Sequence, residues 1–273
     1  MTRGLPLTVL LAFGWSLTSA AALSWLITAS VALRPSAATD IVHLGGIEAL
    51  VFVTGVLVIH KLHLGDTELR PSLGLRATHP LLHLLALLLG FSVHFPAEAV
   101  DALLRRFSPE TSRELAEEAA LLTASSPARL VLVLLVISCI GPLVEELFFR
   151  GALFGALRRR YSALVTTLVT SFCFVIAHLA VRHWPALLVV SLALTYVRAS
   201  SGSLLPSIGM HVAFNALTVI SFATGQTPLD GSTKLDVVAT LAGTAATLVL
   251  LLAVRWIAAH APLARRGRAE DAE

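Results

Sequence analysis

Long uncharged, apolar runs separated by short polar connectors dominate the chain. A bilayer core needs about 20 apolar residues per helix, and the runs are of that order. The first, residues 5–33, is bracketed by Arg3 and Arg34. Ser19-Ala20-Ala21 imitates a signal-peptidase site, but the apolar run continues past it, so an uncleaved first span is expected. The second, 41–60, contains Glu48, which should face other helices rather than lipid. A polar connector at 60–79 with Lys61, Arg70 and Arg76 precedes a third span at about 80–95.

Residues 101–129 form the longest polar stretch. Ser108-Pro109-Glu110 there predicts the start of a surface helix running through Glu117. A fourth span starts near Leu130 and ends at Arg158-Arg159-Arg160. The fifth covers 162–181, the sixth 184–197, the seventh 204–222 and the eighth 235–257. The expected fold class is therefore all-α, a polytopic helical membrane protein with about eight transmembrane helices. Its layout is a set of N-terminal spans over 1–130 with an extramembrane loop near 101–129, a core at 131–224, a last helix at 235–259 and a tail at 260–273.

Composition agrees. The 273 residues are 56% hydrophobic and 14% charged, with a mean hydropathy of +0.82, against roughly 25% charge in soluble domains. The net charge of +3 requires no nucleic acid, since an excess of Arg in cytoplasmic loops accounts for it. With Arg150 set aside, twelve basic residues fall on the side of the N-terminus and seven on the other. The positive-inside rule then places both termini in the cytoplasm of a cell membrane, expected to be bacterial. Cys139 and Cys173 both lie in apolar runs, so a disulfide framework is not supported and each reads as a small buried hydrophobe.

Three sets of polar residues interrupt the apolar runs. Glu145, Glu146 and Arg150 lie in the fourth span, where ionisable groups cost a few kcal/mol each. The two glutamates point about 100° apart on a helix. Arg150 follows Glu146 by four residues, the favourable spacing for an ion pair. That leaves Glu145 as the unpaired carboxylate, suited to a general base. Pro142 should free the carbonyl of Ser138 and kink the helix one turn before Glu145.

Phe174 and His178 share a face of the fifth span, so the ring can orient the imidazole. Measured from the Arg158–Arg160 turn, Glu145 and His178 both lie ~22–27 Å along their helices, so they can meet. His211 and Asn215 share a face of the seventh span and could stabilise an oxyanion. His211 is only ~13 Å from the turn at Ser203, which matches the others poorly. A metal set is the alternative: zinc or another divalent ion held by Glu145, His178 and His211. Plain interhelical contacts are the bland reading of each set. No HExxH pair, GxSxG elbow or Gly-rich phosphate loop occurs, and Glu48 has no assigned role.

At these positions the chain resembles the CPBP family of intramembrane proteases, the CAAX-protease and bacteriocin-processing group. EExxxR stands as Glu145, Glu146 and Arg150, FxxxH as Phe174 and His178, and HxxxN as His211 and Asn215. The resemblance implies an endopeptidase acting on membrane-tethered proteins, lipidated or with a C-terminal sorting tail. Its catalytic set would be Glu145, His178, His211 and Asn215, supported by Glu146, Arg150 and Phe174. The family is usually labelled metalloprotease, although a metal-free glutamate mechanism has also been proposed for it. An amide is a poor zinc ligand, so the residues here lean to metal-free catalysis. The rival functions are a non-catalytic immunity or scaffold protein and a proton-coupled transporter.

Overall fold

The structure, a computed structural model, describes residues 4–109, 111–123, 126–224 and 236–261. Helices account for nearly all regular structure, and no strand occurs among the described residues. In chain order the helices are α1 (Val9–Leu33), α2 (Ile41–Leu64), α3 (Leu69–Ser72), α4 (Pro80–Arg105) and α5 (Ser112–Leu122), followed by α6 (Pro127–Arg158), α7 (Ala163–Ala177), α8 (Trp184–Ser201), α9 (Leu205–Ala223) and α10 (Val237–His260). Short 3₁₀ turns precede α2 and α8. Seven helices are long and apolar enough to cross a membrane, and α7 is a shorter apolar one. Large side chains face outward where lipid would lie, such as Leu10 (81% exposed), Leu33 (90%) and Val238 (77%). The protein is a polytopic all-α membrane protein.

Local chemistry explains the ends. Thr8, Asp40, Ser126, Ser162 and Asp236 each cap a helix by accepting a backbone N–H with the side chain. Gly202 closes α8 in the left-handed conformation that glycine adopts without strain. The span expected at 80–95 runs on to Arg105 after a break at Val93. Pro96 causes the break, because it has no N–H to give the carbonyl of Ser92. The surface helix begins at Ser112, later than Pro109 suggested, and Glu110 lies outside the described residues, as do residue 235 and the tail from 262. Cys173 is buried as expected, but Cys139 is exposed on α6.

Two large apolar clusters organise the bundle. One joins α1, α2, α6 and α7 through Phe52, Val56, Phe148, Phe149, Leu153 and Phe174. The other joins α4, α8, α9 and α10 through Leu82, Leu89, Val190, Leu194, Met210 and Val254. The polar sets of α6, α7, α8 and α9 meet where these clusters adjoin.

The approach of α4 to α9 is set by Gly90, where a Cβ would lie 2.5 Å from the Met210 carbonyl oxygen and 2.7 Å from the Ala213 methyl. Backbone cannot yield to such a contact cheaply. Gly90→Val should therefore destabilise the purified protein by about 1–3 kcal/mol, as overpacking does. Thermal unfolding in detergent checks this, and an unchanged melting temperature would contradict it.

Candidate active site

The long helix α6 is not regular. Residues Leu134–Ile140 and Leu147–Leu153 wind as π turns, one on each side of the short α-helical piece Gly141–Glu146. In the first, the N–H of Gly141 bonds the carbonyl of Val136, five residues back. In that register the carbonyl that Pro142 cannot serve is Ile137's, not Ser138's as regular α geometry suggests. Asn215 of α9 supplies the missing donor, its Nδ2 lying 2.9 Å from the Ile137 oxygen.

Glu146 and Arg150 are completely buried and pair at 2.8 Å. The remaining Arg150 donors reach α8: Nε to Thr195 Oγ1 at 3.2 Å, and Nη2 to Ser191 Oγ at 2.7 Å and to its carbonyl at 3.3 Å. The guanidinium lies over the Phe174 ring at 4.4 Å. Ser171 of α7 adds hydrogen bonds to Thr195 Oγ1 and the Ser191 carbonyl. Sequence reasoning assigned no role to these hydroxyls, although Ser191 and Thr195, four apart in an apolar span, gave a signal for them.

His211 stands between the two glutamates. Its Nδ1 lies 3.2 Å from Glu146 Oε1 and its Nε2 3.6 Å from Glu145 Oε2. The poor depth match has a simple cause. The turn at Ser203 is buried, with the Leu204 N–H on the Gly74 carbonyl and the Ser203 hydroxyl on the Arg76 carbonyl. Helix α9 therefore starts inside the protein.

His178 caps α7 at its C-terminus. Its Nδ1–H donates to the Phe174 carbonyl at 2.9 Å, which leaves Nε2 aimed at Glu145 Oε1, 3.7 Å away. The Phe174 ring packs on it at 4.4 Å and on His211 at 5.9 Å. A helix of 15 residues rises only ~22 Å, short of a bilayer core, so α7 can stop at the site. The chain then turns at Leu179, whose φ of 53° is strained for a branched residue. The segment after it is held by Arg182, which bonds the Ser108 carbonyl at 2.8 Å, and by His183, 3.4 Å from Asp101.

Glu145 and His178 line a cavity of about 390 Å³ together with Glu48, Phe52, Ala177, Leu179 and an α1 face made of Ala20, Leu23, Ser24, Ile27 and Thr28. Leu179 at its rim is 51% exposed. His211 and Asn215 are not among the residues that line it; His211 stands behind Glu145, and Asn215 bonds the Ile137 carbonyl. Sequence reasoning missed the α1 wall and left Glu48 without a role; an acid inside an apolar run was the one signal for it.

Residues 127–217 match the family described as Type II CAAX prenyl endopeptidase Rce1-like. This matched segment carries the motifs on which the resemblance to the CPBP family rests. All three polar sets fall inside the matched third of the chain, and the cavity's α1 and α2 walls fall outside it. A Bacillus subtilis (strain 168) protein named "Putative membrane peptidase YdiL" is 28% identical over 89 residues, 33% of this chain and 36% of that protein. The chain thus matches only about a third of the length of this curated relative. No solved structure matches it.

The metal set expected as an alternative does not fit. The Nε2 atoms of His178 and His211 lie 3.7 and 3.6 Å from different oxygens of Glu145. Among the described residues no three His, Cys, Asp or Glu side chains are grouped to hold an ion.

Breaking a buried ion pair strands one charge, at about 3–5 kcal/mol. Arg150→Met should lose stability by that amount in thermal or denaturant unfolding, whereas Glu145→Gln should stay within about 1 kcal/mol. Equal stability of the two variants would contradict the division of labour between the neighbouring glutamates.

Proposed function

We propose that this protein is an intramembrane endopeptidase in which Glu145 activates a water molecule. The observation that carries this reading is one carboxylate facing His178 Nε2 at 3.7 Å and His211 Nε2 at 3.6 Å, at the wall of a cavity. Both separations exceed a direct hydrogen bond. They suit a site whose groups close on water and substrate.

A water bound beside Glu145 gives one proton to the carboxylate as its oxygen attacks the scissile carbonyl carbon. His178, with its proton held on Nδ1 by the Phe174 carbonyl, offers Nε2 as a second acceptor that orients the water. His211, protonated on both nitrogens with Nδ1–H on Glu146, donates Nε2–H to the oxyanion of the tetrahedral intermediate. Glu146 fixes the His211 ring from the far side. Collapse breaks the C–N bond, and the leaving amine takes the proton from Glu145. The products are a new carboxyl terminus and a new amino terminus. Asn215 has a second N–H to offer beyond the one spent on Ile137. Its role in the reading is to fix the α6 backbone beside the site and complete the polar face of α9.

The cavity wall supports an apolar substrate segment. Leu23, Ile27, Phe52, Ala177 and Leu179 favour an apolar segment, in keeping with a membrane-tethered protein. A helical substrate hides its carbonyls in its own hydrogen bonds, so the cleaved stretch must be unwound or near a chain end.

Comparison of protein termini in membranes of cells carrying active protein or Glu145→Gln tests this. New paired termini within or beside apolar segments should appear with the wild type and vanish in the variant at equal expression. Identical termini in both would sink the reading.

A further inference from the structure

Helix α2 brings a second carboxyl group into the cavity. Glu48 lines it together with Glu145 and His178, so carboxyl groups from α2 and α6 share one cavity. Gly141 makes the room: a Cβ there would lie 3.3 Å from Glu48 Oε2 and 3.6 Å from Oε1. A glycine one turn before Glu145 thus lets the α2 carboxyl come against α6.

Two ionised carboxylates only accept hydrogen bonds, so a bond between them requires a proton. Like charges sharing a low-dielectric site do not both ionise. The surroundings say which oxygen keeps the proton. Glu145 has an imidazole nitrogen near each oxygen, His178 Nε2 at 3.7 Å and His211 Nε2 at 3.6 Å. Glu48 faces Glu145 of α6, His178 of α7 and His211 of α9, while α1 brings no ionisable group to it. Its other cavity neighbours carry no charge: Phe52, Ala177, Leu179 and an α1 wall whose only polar groups are the Ser24 and Thr28 hydroxyls.

We infer that Glu48 is a positioning residue that carries a proton and donates a hydrogen bond to the Glu145 carboxylate. That bond fixes the rotamer of Glu145 and occupies one oxygen, so the other is presented to the attacking water. The Glu48 proton is not consumed: the proton taken from water travels through Glu145 to the leaving amine. The catalytic consequence rests on the peptidase reading; the shared proton does not. Gln at position 48 keeps an N–H donor of similar reach, whereas Leu keeps only the volume, which makes the role separable from packing.

Infrared spectra of the purified full-length protein in detergent near neutral pH should show a protonated-carboxyl band that disappears in Glu48→Gln. Glu48→Gln should retain turnover within about threefold, because an amide keeps an N–H donor at this position. Glu48→Leu should lower kcat by about 10- to 100-fold, the worth of one charge-assisted hydrogen bond, with KM little changed. No carboxyl band, or one insensitive to Glu48→Gln, overturns the inference. So do folded Gln and Leu variants that are equally active or equally inactive. A protein that shows the Glu48 band but cleaves nothing overturns the peptidase reading while the shared proton stands.

Discussion

The guanidinium of Arg150 is the constraint on which the site's geometry depends. A fully buried positive charge is tolerable only if it is paired and its donors are satisfied. Glu146, Thr195, Ser191 and the face of Phe174 together meet that demand. These partners lie on α6, α7 and α8, so one cation fixes α6 against the other two. Glu146 passes the constraint on to α9 through His211. The framework thus leaves Glu145, one residue away, to face the cavity with an imidazole near each oxygen.

Irregular backbone does the rest of the positioning. Two π turns bracket the Glu145–Glu146 piece of α6, and each changes the direction in which later side chains leave the helix. The carbonyl stranded by Pro142 would be costly inside a membrane, and Asn215 removes that cost while joining α9 to α6. At the opposite wall, α7 ends early and its last turn holds the His178 ring by Nδ1. The cavity therefore exists where regular helices stop being regular.

Much of this was legible in the chain. Apolar runs located the helices, and four-residue spacings found Glu146 with Arg150, Phe174 with His178 and His211 with Asn215. What remained hidden depends on contacts between distant segments. The π register moved the orphan carbonyl from Ser138 to Ile137, and Pro142 alone does not reveal the register. The apparent shallowness of His211 came from treating the Ser203 turn as a membrane surface, whereas Gly74 and Arg76 bury it. Glu48 stood out as an unexplained acid, but only the packing of α2 on α6 brings it to the cavity. The α1 wall carries no charge or motif, so nothing local marked it.

The central claim is that Glu145 activates water instead of attacking the peptide itself. Once an anchored substrate is in hand, a single turnover in ¹⁸O-labelled water decides between them most directly. Direct attack by water places the heavy oxygen in the new carboxyl terminus of the product and leaves Glu145 unlabelled. Heavy oxygen in the Glu145 side chain, with an unlabelled first product, would show an acyl-glutamate intermediate and contradict the account.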